Sequence, residues 1–216
     1  MNKNITFNKY PKSEEIVNAI THGIGAVLSL WALVLLILKS VQLHSQAYLI
    51  TTIVYGISMV FLYISSTLYH SVQKPTIRNR LNLMDHIAIY ILIAGTYTPF
   101  AINTLGGVIG WIIFGVVWGF ALLGLVLKVF FFGKYHTLSA IAYVIMGWII
   151  VVAIKTLYLN LGLTGTVWLF AGGLFYTFGA ILYLFEKLPF NHAIFHLFVL
   201  AGSGCHFISI YWYVLK

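Results

Sequence analysis

Apolar runs of about 20 residues, each long enough to cross the ~30 Å hydrocarbon layer of a bilayer as a helix, recur along almost the whole of this 216-residue chain. No other feature limits the fold as strongly. In hydrocarbon a bare backbone amide finds no water, so a spanning segment must be a helix or a strand of a closed barrel. A barrel would show ~10-residue alternating segments with polar lumen positions, whereas the runs here are unbroken. Charge content points the same way: 7% of residues are charged and 61% hydrophobic, against about 25% charged in an average soluble domain. The sequence predicts an all-α integral membrane protein.

Seven spans are expected, at residues 16–38, 48–69, 84–102, 108–130, 137–157, 166–185 and 192–215, after a polar N-terminal tail of residues 1–15. That tail lacks the basic start, short apolar core and small-residue cleavage site of a signal peptide. The connections carry turn chemistry, with Pro75, Gly133 and Pro189 among them. Glycines inside the spans, such as Gly56, Gly95, Gly124 and Gly172, suit close helix packing in lipid. On one side fall Lys3, Lys9, Lys12, Lys74, Arg78, Arg80, Lys128, Lys134 and Lys187; on the other, only Lys39, Lys155 and Lys216. By the positive-inside rule the N-terminus is cytoplasmic and, with an odd number of spans, the C-terminus lies outside. The expected location is the plasma membrane of the cell, with multiple passes.

The formal net charge of +8 would suggest nucleic acid in a soluble protein. Here the basic residues sit between apolar segments, where cytoplasmic retention and anionic headgroups explain them, and nucleic acid is excluded as a partner. The single cysteine, Cys205, has no partner in the chain, so neither an internal disulfide nor a cysteine cage for a metal can form.

An ionisable group within or at the end of a span costs several kcal/mol unless paired or metallated, so each one is a functional candidate. His192 and His196, four residues apart, share one helix face at the spacing by which two imidazoles hold one metal ion. His70 ends the second span at the same expected depth, and Asp85 heads the third as the one acid placed within a span. Three histidines with an open fourth position make a catalytic zinc arrangement, next to which Asp85 can hold or deprotonate a water. Iron or manganese also accept such ligands. Ser66 lies one turn deeper than His70, able to contact a substrate carbonyl or orient water, or to bond back to the carbonyl of Leu62.

Other polar groups are expected in lesser roles. His22 braces or caps the site from the first span, Ser203 lies on the face of His192 and His196, and His86 points about 100° away from Asp85. His206 is expected in hydrogen-bonded packing, and His44 and His136 in loops. Lys155 snorkels outward, and Tyr211-Trp212-Tyr213 reads as an interfacial belt.

Together, Asn18-x-x-Thr21-His22-x-x-Gly25, Ser66-x-x-x-His70, Asp85, His192-x-x-x-His196 and the strings Ser65-Ser66-Thr67-Leu68-Tyr69-His70 and Gly95-Thr96-Tyr97-Thr98-Pro99-Phe100 resemble the hemolysin III family, the bacterial branch of the progestin and adipoQ receptor superfamily. The resemblance covers essentially the whole chain. It implies a seven-helix bundle with a cytoplasmic N-terminus and a zinc ion held near the cytoplasmic side by His70, His192 and His196. Asp85 matches the aspartate that holds the water at the metal. The superfamily is similar to alkaline ceramidases, which implies hydrolysis of a lipid amide, while the family's name implies haemolytic, pore-forming behaviour.

Three functions are thus expected to compete. One is a zinc-dependent hydrolase of a membrane lipid amide or ester. Another is a pore-forming haemolytic protein, for which a homo-oligomer would supply the lumen. The third is a sensor or regulator of membrane lipid state in which the metal ties helices together.

Overall fold

In a computed structural model of the chain, residues 10–131, 136–185 and 187–216 are described; Lys3, Lys9, Gly133, Lys134 and Glu186 lie outside them, as does the side chain of His136. The described residues are helical and contain no strand. In order they form α1 (Lys12–Gln42), α2 (Gln46–Ser71), α3 (Pro75–Pro99), a π-helical segment (Phe100–Leu105), α4 (Gly107–Phe130), α5 (His136–Trp148), a 3-10 segment (Ile149–Ala153), α6 (Ile154–Leu184), α7 (Asn191–Ser209) and a final π-helical turn (Ile210–Val214). Six helical stretches are long and apolar enough to cross a membrane, so the chain is a multi-pass membrane protein.

One of those stretches, Thr137–Leu184, is 48 residues long. As a straight helix it would measure ~72 Å, more than twice the hydrocarbon thickness. It doubles back instead. Gly162 has φ 72° and ψ 177°, a conformation open in practice only to glycine. The indole N–H of Trp148 donates to Thr177 Oγ1 at 2.9 Å, and the Trp148 ring lies 5.6 Å from that of Phe170. The connection expected over residues 158–165 is therefore a break at one residue, since Gly162 alone departs from helical φ/ψ inside Ile154–Leu184.

Helix neighbours in sequence pack antiparallel, as the pairings Ser40–Thr52 across α1 and α2 and Ser209–Gly165 across α7 and α6 record. Small residues set the approach distances: Gly25 faces Tyr63, Gly124 faces Tyr90, and Gly172 lies directly against the His206 ring. Serine and threonine hydroxyls inside the bundle return to carbonyls three or four residues back, as Ser40 does to Leu36 at 2.8 Å, so few are left unsatisfied in lipid.

Two helices begin earlier than hydropathy indicates. The first starts at Lys12, burying Glu14 and Glu15 in its opening turns; the third starts at Pro75, burying Arg78 and Asn82. Proline suits a first helical position, where its missing N–H is not needed. Hydropathy reads where hydrocarbon begins, not where a helix begins, so polar helical turns at the membrane surface look like tail and loop. The far end holds Lys39, Trp212 and Lys216: the Lys39 amine donates to the Tyr211 carbonyl at 2.5 Å and sits over the Tyr211 and Trp212 rings.

Candidate metal centre

At the opposite end, the last turn of α2 and the first two turns of α7 deliver three buried histidines to one point. A left-handed residue, Phe190 (φ 56°, ψ 28°), opens α7, and the Asn191 side chain donates to the Tyr183 carbonyl at 2.9 Å, tying the start of α7 to the end of α6. His192 and His196 then point the same way by helical periodicity. One ligand atom from each of His70, His192 and His196 lies within 4.8 Å of the others, and this is the one such cluster among the described residues.

Their partners decide which nitrogens are free. His70 Nδ1 donates to Glu15 Oε2 at 2.7 Å, and His196 Nδ1 donates to the Asn18 carbonyl at 3.3 Å; the Thr21 hydroxyl, also 3.3 Å from His196 Nδ1, gives its own proton to the carbonyls of Val17 and Asn18. A carboxylate and a carbonyl can only accept, so both Nδ1 atoms carry the proton and both Nε2 atoms present a lone pair. His192 Nδ1 lies 3.2 Å from the Tyr10 hydroxyl, and its Nε2 is 3.1 Å from His70 Nε2. Burial first, then Tyr183 and Glu14, push the Tyr10 phenol up, which keeps it neutral. His70 Nε2 therefore faces either an N–H of His192 or, with His192 in its other tautomer, a second lone pair that a cation between the rings would satisfy. Two nitrogen ligands of one tetrahedral zinc stand roughly 3.3 Å apart, close to the 3.1 Å between His70 and His192, and the gathered set of three could hold such an ion.

Asp85 and Ser66 come to the same place without joining the cluster of ligand atoms. The Asp85 carboxyl is buried, with His70 and Ser66 among the groups that act on it. Ser66 is fully buried and does not bond to the Leu62 carbonyl. His22 lies stacked on His196. His86 bonds to its own helix, with Nδ1 2.9 Å from the Asn82 carbonyl. His206 is packed and hydrogen-bonded, its Nε2 3.1 Å from the Leu169 carbonyl. Ser203 lies away from the histidines, its hydroxyl joined to those of Tyr63 and Tyr176 at 2.7 and 2.8 Å.

Sequence reasoning missed Tyr10, Glu14, Glu15 and Arg78. Glu15 bonds to both His70 and Arg78, and Glu14 accepts the His192 backbone N–H at 3.2 Å. Asp85 is thus not the one helical acid at this depth. The signal was present: Glu15, Asn18 and His22 recur at helical spacing and share one face of α1.

A cavity runs inward from the histidines. Asp85, Ser66, His192 and His196 line its polar end, and Leu92, Phe100 and Phe170 are among its apolar walls.

A sequence profile described as haemolysin-III related matches residues 10–207. The chain is 50% identical over 202 residues to Hemolysin-3 of Bacillus cereus, covering 94% of this chain and 92% of that one. It is 45% identical over 203 residues to a Hemolysin-3 homolog of Bacillus subtilis, covering 94% and 95%. The human monocyte to macrophage differentiation factor is 28% identical over 177 residues, 77% of this chain and 71% of its own.

Proposed function

The chain belongs to the haemolysin-III related family, and from that premise we propose that it is a zinc-dependent hydrolase of membrane lipid amides or esters, working near the cytoplasmic face of a seven-span bundle in the plasma membrane. One observation carries the reading: three histidine ligand atoms gather within 4.8 Å at the head of a long, mainly apolar cavity that also exposes a carboxylate and a hydroxyl.

His70, His192 and His196 would hold the ion through their Nε2 atoms. Zinc bound there supplies a Lewis acid that makes water nucleophilic near neutral pH and polarises a carbonyl. Asp85 takes the proton of the attacking water at its carboxylate, a role typically worth ~10²–10⁴ in rate. The Ser66 hydroxyl donates to the oxygen of the scissile carbonyl. Leu92, Phe100 and Phe170 keep water from the buried chain of the lipid and align its head with Asp85.

The seven-span, N-terminus-inside arrangement is supported by the reversal at Gly162, which makes two crossings of the 48-residue stretch. Basic residues agree: Lys12, Lys74, Arg78, Arg80, Lys128 and Lys187 belong to the histidine end, and Lys39, Lys155 and Lys216 to the other.

The test is metal content of purified protein together with release of fatty acid from a lipid amide and a lipid ester. The wild type is expected to carry zinc and to turn over one of them; full activity in His192→Ala/His196→Ala would sink the proposal.

A further inference from the structure

The N-terminal turns of α1 and Tyr10, two residues before the helix, contact every one of the three histidines. Glu15 reaches the imidazole of His70, Asn18 the imidazole of His196, and Tyr10 the imidazole of His192. Of these contacts only Glu15 brings a full negative charge to a ligand. Its two oxygens are divided: Oε2 accepts from His70 Nδ1 at 2.7 Å, and Oε1 pairs with Arg78 Nη2. Arg78 is itself buried, and its Nη1 donates to the carbonyls of Tyr69 at 3.3 Å and Val72 at 3.1 Å at the end of α2. It also lies 4.7 Å from the Tyr69 ring centre.

The geometry points to Glu15 as the positioning residue of the metal centre: its carboxylate fixes the tautomer and orientation of His70 while Arg78 fixes the carboxylate. The inference rests on the proposed metal site and deepens it by adding a residue of α1 to a site whose ligands come from α2 and α7. The physical case has three parts. A carboxylate on Nδ1–H makes the opposite nitrogen a more basic ligand, and loss of such a partner typically costs 10–100-fold in metal affinity. The bond crosses from α1 to α2, so the ring cannot rotate on its own helix without breaking it. Arg78 neutralises a carboxylate that would otherwise be buried with no full positive charge beside it, a costly arrangement in this surrounding.

The experiment is a cobalt titration of full-length apo-protein in detergent, following visible absorption, on the wild type, Glu15→Gln, Arg78→Met and Glu15→Gln/Arg78→Met. The double variant leaves no lone buried charge and guards against simple misfolding. Removing the carboxylate in either background is expected to weaken cobalt binding roughly 10–100-fold and to shift the absorption bands at saturation. Arg78→Met, in which Glu15 still faces His70 but loses the cation that fixes it, is expected to weaken binding less than Glu15→Gln and to keep the wild-type bands. A merely structural role would alter the folded fraction and leave the saturated spectrum unchanged. If the wild type binds cobalt and Glu15→Gln/Arg78→Met binds it equally, with the same bands, the positioning role is overturned while the metal site stands. If Arg78→Met loses affinity and bands as fully as Glu15→Gln, the effect comes from docking α1, and the role is again overturned. Failure of the wild type to bind any metal overturns the hydrolase reading and this one together.

Discussion

The imidazole of His22 lies flat on that of His196, their centroids 3.4 Å apart and their planes 10° from parallel. Neither ring nitrogen of His22 has a hydrogen-bond partner, so the contact works through its face. His22→Phe should therefore keep metal affinity and melting temperature close to wild type, while His22→Ala should cost about 1–3 kcal/mol through the void it leaves against His196. Thermal melts and metal titration in detergent check both. A Phe variant as impaired as the Ala variant would show that the ring nitrogens matter.

Asp85 stands beside the three histidines without belonging to the ligand cluster. Asp85→Asn is expected to retain the metal and lose ~10²–10⁴ of the hydrolysis rate. Elemental analysis and rate are measured on the same preparation; loss of metal in parallel with rate would make Asp85 a ligand instead.

Ile93 lines the cavity on α3, one residue past the wall formed by Leu92. Ile93→Trp fills that space, so hydrolysis of a long-chain substrate should fall while a short-chain ester is still cleaved. Equal loss on both would show that the variant disturbs the site itself.

Gly162 has no heavy atom within 4 Å of an added Cβ, so its requirement is purely conformational. Gly162→Ala should destabilise by about 1–3 kcal/mol from backbone strain alone, read as a lower melting temperature with unchanged metal affinity.

Lys187, exposed at the histidine end, and Trp212, 62% exposed at the other, report orientation. In a Cys205→Ser background a membrane-impermeant maleimide should label Trp212→Cys in intact cells, and Lys187→Cys only after permeabilisation. The reverse pattern would invert the bundle.

Much of the fold was legible because lipid imposes one strong rule. Long apolar segments must be helices, and hydropathy finds them. The triad was legible for a related reason: histidines stand out against 7% charged residues, and His192 and His196 share a face by periodicity alone. Glu15 and Arg78 were read as tail and loop because they lie at the polar margins of spans, where hydropathy changes sign before the helix ends. Their pairing spans 63 positions, and no local spacing encodes it.

The sequence by itself determined the solvent, the helical class, and the placing of three histidines and an aspartate at one depth, since each follows from short-range periodicity and the cost of burying charge. Only the tertiary structure decided which side chains hold those histidines. Packing α1 against α2 and α7 brings Glu15 to His70 and the Asn18 carbonyl to His196, and acceptor-only partners then fix which nitrogen of those two rings is free. That selection depends on contacts between helices far apart in the chain, which periodicity along any one of them does not contain.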